Sequence, residues 1–385
     1  MKFFHLADLH IGKKVNGYSM IDDQRFILEE VLARIEAERP DALILAGDIY
    51  DRRNPPVEAV ALFDDFVSRV VLDLSVPVLA IGGNHDGGER LGFANAIQAR
   101  AGLYLAGTFQ WPLPKVRLED EDGPVDVYLM AYADLAVLHQ VVPETAALDY
   151  PQAMDWILAH TTLDTAARHV LVAHGVVTGD TPPETCDSER VLSIGGTEFW
   201  QSASLAAFDY VALGHLHQAQ TAGSTHIRYA GSLMPYSFSE EKQQKVMLSV
   251  TLAADGAVEV EALPLSALRR LVTIEGTLDT LLAVPETVAP HRDDYLRVIL
   301  DDTSELLEPM QRLKQCYPHI MLMERRAQLK TWDTQMMPQV NAATTKRTPL
   351  EMFNAFYEQV TDTPAEEAMC ALMQEVFAEV EKEVL

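Results

Sequence analysis

Only three cysteines occur in 385 residues, and Cys186, Cys316 and Cys370 lie far apart. An odd number at such spacing excludes a disulfide framework and a thiolate zinc site, so any metal here is held by nitrogen and oxygen. No uncharged apolar run of about 18 residues is present, which excludes a hydrophobic spanning helix. The N-terminus MKFFHLADLH puts His and Asp where a signal peptide needs an apolar stretch. The expectation is a cytoplasmic chain with no membrane association. Basic charge is also scarce: 30 Lys and Arg stand against 57 Asp and Glu, a net charge of −27. That argues against strong non-specific affinity for polyanions, because phosphate binding draws on Lys and Arg displacing counterions. Apolar residues, at 48%, are plentiful enough to bury sizeable cores, and the length fits two or three domains.

Seven short runs read as strands: KFFHLA, DALILAGD, VPVLAIGG, VDVYLMAY, HVLVAHG, DYVALGHLH and IRYAGSL. Between the early ones, Asp22 to Glu38 and Val57 to Val71 carry apolar residues at spacings of three and four, the pattern of amphipathic helices. The fold class is α/β. Polar residues gather at the C-terminal ends of five runs, the edge at which open α/β sheets place their sites.

Those endings carry the chemistry. They are Asp8-Leu9-His10, Gly47-Asp48, Gly83-Asn84-His85-Asp86, Ala173-His174-Gly175 and Gly214-His215-Leu216-His217. Seven donors, Asp8, His10, Asp48, Asn84, His174, His215 and His217, thus collect on one edge. Imidazole, carboxylate and amide oxygen suit two divalent ions such as Mn, Fe or Zn sharing a carboxylate. In extended backbone, residues i and i+2 point the same way, which accounts for D-x-H and H-x-H. Any one of these pairs alone is commonplace in α/β proteins; five in order at strand ends are not. His5, inside the first strand, reads as a packed core residue, and His139, His160, His169 and His226 as surface or packing residues.

DLH, GDIYD, GNHD, AHG and GHLH resemble the calcineurin-like metallophosphoesterase superfamily. With HIGKKVNG, GDIYDRRNPP, SERVLSIGG and YAGSLMPYSFSEEK, the resemblance narrows to the SbcD family of bacterial nuclease subunits. It implies a four-layer αββα sandwich with a dinuclear site. Asp8, His10, Asp48 and His217 would hold one ion and Asp48, Asn84, His174 and His215 the other, with Asp48 bridging. The cofactors implied are two divalent ions, Mn2+ foremost and Mg2+ as an alternative. His85 would protonate the leaving alkoxide and stabilise charge on the phosphate, with Asp86 orienting its imidazole. Lys13, Lys14, Arg52, Arg53, Arg90 and Arg190 lie in or beside the motif loops and are candidates for DNA contact.

The organisation changes after about residue 265. YLRVILDD, a helix Glu305 to Cys316 and PHIMLMERR read as strand, helix, strand of a small α/β domain, and the resemblance implies a nuclease domain over 1–268 followed by a capping domain over 269–340. NAATTKRTP at 341–349 reads as a linker. Residues 350–385 form two amphipathic helices, with stripes Leu350, Phe353, Phe356, Tyr357 and Met369, Leu372, Met373, Val376, Phe377. Residues 346–385 hold nine acidic and three basic residues, which suits a basic protein face better than DNA. The resemblance implies that these helices clasp the coiled coil of SbcC, an ABC-type ATPase. It also implies a homodimer within a heterotetramer, through helices 57–71 and 89–100 with their apolar residues Val57, Val60, Leu62, Phe63, Phe66, Val67, Val70, Leu91, Phe93 and Ile97. The expected activity is Mn-dependent 3'-5' exonuclease action on duplex ends and endonuclease action on single strands and hairpins in DNA repair, recombination and replication, gated by ATP, with the chain nucleoid-associated when acting on DNA. The alternatives are a nucleotide phosphodiesterase or phosphatase of the same superfamily, which needs no cap or C-terminal helices, and a non-catalytic DNA-end scaffold, which would tolerate a broken ligand set.

Overall fold

The computed structural model describes residues 1–179, 182–189 and 199–326, with residues 353, 354, 357, 369–374 and 376 beyond them. Two six-stranded sheets dominate. The first runs Val258–Pro264, Val246–Leu252, Lys2–Leu6, Ala42–Ala46, Val78–Ile81, Leu103–Ala106, and its last four strands are parallel. The second runs Gln220–Ala222, Ser224–Tyr229, Tyr210–Gly214, Arg168–His174, Gly123–Met130, Lys115–Asp120, parallel through its middle four strands.

Strand periodicity explains the layering. Ile44 and Ala46 join Val170, Val172 and Ala212 in the core between the sheets, while Leu43 and Leu45 face the opposite way and pack under helices. Parallel strands buried on both faces read as continuous apolar runs, as these do. His5 is buried in this interior with Nδ1 3.0 Å from the Tyr210 hydroxyl, and burial pushes its pKa down to about 3. On the outer face of the first sheet lies helix Ile21–Glu38, which has no Gly or Pro and buries Ile27, Leu28, Val31, Leu32 and Ile35. It stops at Arg39, in the left-handed region and followed by Pro40. Helix Tyr150–His160, started by an Asp149–Gln152 capping box, covers the second sheet. The result is the four-layer αββα sandwich.

Three elements differ from expectation. The helix expected at 57–71 is α-helical over Val57–Ser68 and then widens into a π-helical turn over Arg69–Asp73. The helix expected at 89–100 is broken into Gly88–Leu91 and Asn95–Gln98, because Ala94 turns into the left-handed region between them. The helix expected from Glu305 begins only at Pro309, whose fixed φ and missing N–H suit a first helical position.

By contact density the chain divides into one unit of Met1–Ile274, Asp279–Val298 and Glu308–Met323, and a second of Glu275–Leu278, Ile299–Leu307 and Glu324–Leu385. A third sheet runs Leu271–Gly276, Tyr295–Leu300, Ile320–Arg325. Within the first unit, buried Asp23 accepts from the Tyr295 hydroxyl at 2.7 Å and from Arg269 at 2.9 Å. In the second unit, the described residues at 353, 354, 357, 369–374 and 376 are helical, with Met369, Leu372 and Val376 exposed. The linker expected at 341–349 lies outside the described residues, as does most of 350–385. Among the described residues no helix is long and apolar enough to cross a membrane.

Candidate metal centre

All seven predicted donors are buried, and they come from the C-terminal ends of strands in both sheets. Asp8 and His10 follow Lys2–Leu6, Asp48 follows Ala42–Ala46, and Asn84 follows Val78–Ile81; His174 ends Arg168–His174, and His215 and His217 follow Tyr210–Gly214. Four of them hold positive φ without being glycine: Asp8 at 51°, His10 at 44°, Asp48 at 48° and His215 at 105°. Such strain costs on the order of 1–3 kcal/mol per residue, persists where surrounding structure over-determines it, and clusters at functional sites.

Their donor atoms converge. The Nε2 atoms of His10 and His217 lie 3.1 Å apart. Asn84 Oδ1 lies 3.0 Å from His174 Nε2 and 3.2 Å from His215 Nδ1. His174 Nδ1 sits 2.9 Å from the Ala46 carbonyl, which can only accept, so Nδ1 carries the hydrogen. Nε2 of the neutral ring is then a bare lone pair facing a carbonyl oxygen at 3.0 Å and Asp48 Oδ2 at 3.4 Å. Lone pairs aimed at one another in a buried site need a cation between them, or an added proton.

The electrostatics give the same answer. Burial opposes charge on His174, yet Asp48 beside it raises the imidazole to about 9. Burial opposes ionisation of Asp48 too, but His174, then His10 and His85, carry its carboxyl below the usual range. Asp8 is pushed up, mainly by burial, and His215 down to about 3 for the same reason. The ion pairs of Asp8 and Asp48 among the described residues are all with imidazoles. Two buried carboxylates are thus left to imidazole protons that a divalent ion would replace. Donor atoms of Asp8, His10 and His217, and those of Asp8, Asp48 and His174, each fall within 4.8 Å of one another. The nitrogen and oxygen donors therefore fit divalent ions.

Two glycines make this closeness possible. A Cβ on Gly83 would stand 2.2 Å from Asp48 Oδ1 and 2.4 Å from its amide nitrogen; one on Gly47, at φ +89°, would stand 2.3 Å from His174 Nδ1. Gly83→Ala is therefore expected to weaken metal binding by about tenfold or more, as loss of a supporting contact does. Calorimetric titration with Mn2+ checks this, and wild-type affinity in the variant would show that the Asp48 and Asn84 loops can separate freely.

A model of the calcineurin-like phosphoesterase family matches residues 1–219, and a model described as the type 5 capsule protein repressor C-terminal domain matches 267–361. The chain is 31% identical over 328 residues to the SbcD subunit of the SbcCD nuclease of Staphylococcus epidermidis, covering 83% of this chain and 84% of that protein. The chain belongs to the SbcD family of calcineurin-like phosphoesterases. A solved dimetal phosphatase from Danio rerio is also similar, at 14% identity and a TM-score of 0.42, over 68% of this chain and 95% of that one.

In this SbcD-family chain, His85 sits at the rim. Its backbone N–H donates to Asp48 Oδ1 at 2.8 Å, and its Nδ1 donates to the Asp51 carbonyl at 2.9 Å. Nε2 is left pointing away from that anchor. Here the structure corrects an expectation: Asp86 does not orient His85. Its carboxylate turns inward to accept from the N–H groups of Ile49, Tyr50 and Gly83, at 3.0, 2.9 and 2.9 Å, tying the Asp48 loop to the Asn84 loop. Of the residues expected to contact DNA, Lys13 is drawn to Asp51 at 2.8 Å and lies over the Tyr236 ring. Lys14, Arg52, Arg53 and Arg90 are exposed, and Arg190 lies outside the described residues. Arg53, Asn54 and Arg90 line a cleft of about 580 Å³ that reaches Asn84.

Sequence reading missed Asp51, Gln24, Glu189 and Glu240. Gln24 accepts from Gly12 N at 3.0 Å and donates to the His10 carbonyl at 2.8 Å, bracing the first motif loop. Asp51 ends the GDIYD motif and was legible there; Gln24, inside a helix, carried no such signal.

Proposed function

We propose that this protein is the Mn-dependent DNA nuclease subunit of an SbcCD-type complex, hydrolysing phosphodiester bonds at a dinuclear centre. The convergence of buried nitrogen and oxygen donors from Asp8, His10, Asp48, Asn84, His174, His215 and His217 carries the reading. One ion is assigned to Asp8, His10, Asp48 and His217, the other to Asp48, Asn84, His174 and His215. When bound, two divalent ions supply Lewis acidity, acidifying water and neutralising charge that develops on a phosphodiester. The chain's residues do the rest. Gly83, Gly47 and Asp86 hold the donor loops together. His85, anchored through its Nδ1–H, presents Nε2 to the leaving oxygen and, as the imidazolium, gives up the Nε2 proton there, returning to the neutral Nδ1–H form. Arg53 and Arg90, on the cleft beside Asn84, offer cationic partners to the phosphate backbone. Hydrolysis of a chromogenic phosphodiester that EDTA abolishes and Mn2+ restores is the expected result; activity that survives EDTA would overturn the metal reading.

The relative's name places it in a complex, and the same assembly is the proposal here. The segment from 341 serves as linker and SbcC-binding helices, after the nuclease and capping domains at 1–268 and 269–340. Deleting 346–385 is expected to abolish co-purification with SbcC and to spare Mn-dependent hydrolysis; loss of both would mean the segment is structural. Of the apolar residues on the two elements after the second and third motifs, Leu62, Phe63, Phe66, Val67, Val70 and Leu91 are buried in the chain's own core. Val57, Val60, Phe93 and Ile97 remain exposed, at 86, 44, 77 and 74%. This face is the proposed homodimer contact, and a dimer mass by light scattering at micromolar concentration is expected, with a monomer counting against it.

A further inference from the structure

Beside the metal centre, a chain of polar groups, buried at Glu240 and Lys245 and half-buried at Ser188, ends on His217 and has no role in the reading above. Glu240 is fully buried and surrounded by donors: Lys245 Nζ at 2.6 Å, Ser237 Oγ at 2.9 Å, the Tyr236 N–H at 3.2 Å and Ser188 Oγ at 2.5 Å. An ionised carboxylate only accepts, so the single hydroxyl proton of Ser188 is committed to Glu240. Ser188 Oγ also lies 2.7 Å from His217 Nδ1, and with its proton spent it can only accept there. The hydrogen of the His217 ring is therefore on Nδ1, and Nε2, 3.1 Å from His10 Nε2, is a bare lone pair. The His217 backbone is clamped as well, its N–H donating to Glu189 at 2.7 Å and its carbonyl accepting from Lys245 at 2.8 Å.

We propose that Ser188 and Glu240 are positioning residues that fix the tautomer and orientation of His217 for metal, so that metal retention depends on the segment carrying Ser188 and Glu189. The proposal rests on the dinuclear reading. A metal-bound imidazole is commonly held through its other nitrogen by a carboxylate or carbonyl; here a hydroxyl relays the carboxylate instead.

The relay makes an asymmetric prediction that simple packing would not. In Ser188→Ala the proton of His217 is free to sit on either nitrogen. In Glu240→Gln, the amide oxygen faces Lys245 and the NH2 group donates to Ser188, turning the hydroxyl proton toward His217 Nδ1. The imidazole hydrogen is then driven onto Nε2, where it blocks the metal. Glu240→Gln should therefore be the worse of two nearly isosteric changes, and Ser188→Thr, which keeps the hydroxyl, should restore binding.

The test is Mn2+ titration of the full-length chain by calorimetry and electron paramagnetic resonance, with melting of the metal-free proteins alongside. Wild type should take up two ions. Ser188→Ala should lose about 10–100-fold in affinity at one site only, with Glu240→Gln weaker still and Ser188→Thr near wild type. Unchanged affinity at both sites in Ser188→Ala, or equal weakening in the Ala and Thr variants, would overturn the proposal and leave the dinuclear reading standing. A wild-type chain that binds no Mn2+ would instead overturn the dinuclear reading, and this proposal with it.

Discussion

Replacing His85 with Asn should lower Mn-dependent phosphodiester hydrolysis by about 10²–10⁴-fold, the range contributed by a positioned acid or base, while two Mn2+ ions still bind. The split follows from geometry. His85 touches the donor cluster through its backbone N–H, which gives 2.8 Å to Asp48 Oδ1 and survives any side-chain change. Its ring is held from the Nδ1 side by the Asp51 carbonyl, so the group lost in Asn is Nε2 alone. A further consequence separates acid catalysis from substrate binding. A substrate with a good leaving group needs little protonation, so the deficit should shrink with a nitrophenolate and be largest with a nucleoside alkoxide. Parallel kinetics on the two substrates check this; an equal loss on both would assign His85 to binding the phosphate.

Asp48→Asn should abolish most of the response to metal. In the presence of Mn2+ at about 100 times its dissociation constant, each site that binds only the folded chain adds roughly 2.7 kcal/mol of stability. Asp48 is the carboxylate assigned to both sites, so its neutralisation should remove most of that gain and the activity with it. The metal-free variant should melt below metal-free wild type, because His174, then His10 and His85, hold the buried Asp48 carboxyl below the usual range, so its ionised form stabilises the fold. Melting curves with and without Mn2+ decide it; a metal-induced shift as large in Asp48→Asn as in wild type would mean the ions bind elsewhere.

The seven apolar runs of the first 235 residues are all strands, because a parallel sheet buried on both faces demands uninterrupted Val, Ile, Leu and Ala, and such runs are short and unmistakable. The hairpin of Val246–Leu252 and Val258–Pro264 was missed although Asp255-Gly256 marks its turn; its outer strand alternates with exposed Glu259 and Glu261 and ends no motif. The broken helix at 88–98 was not legible, since Ala94 in the left-handed region is imposed by packing rather than by residue type. In the centre, the extended backbone expected at D-x-H and H-x-H is absent: Asp8, His10 and His215 hold positive φ. Ligand-type residues still stood out, because five short motifs follow strands in order. Their supports did not. Ser188, Glu240 and His217 meet from separate segments, and Asp86, adjacent to His85 in sequence, faces the other way. Adjacency predicts a shared loop, not a contact.

Cleavage of DNA at this centre is the proposed activity. Its most direct measurement is the cleavage of end-labelled duplex and hairpin DNA by the purified chain in Mn2+, with and without SbcC and ATP, beside a small phosphodiester. The expected result is Mn-dependent shortening of duplex ends and opening of hairpins, extended by SbcC with ATP. Hydrolysis confined to the small phosphodiester would contradict it and make the protein a nucleotide phosphodiesterase of the same superfamily.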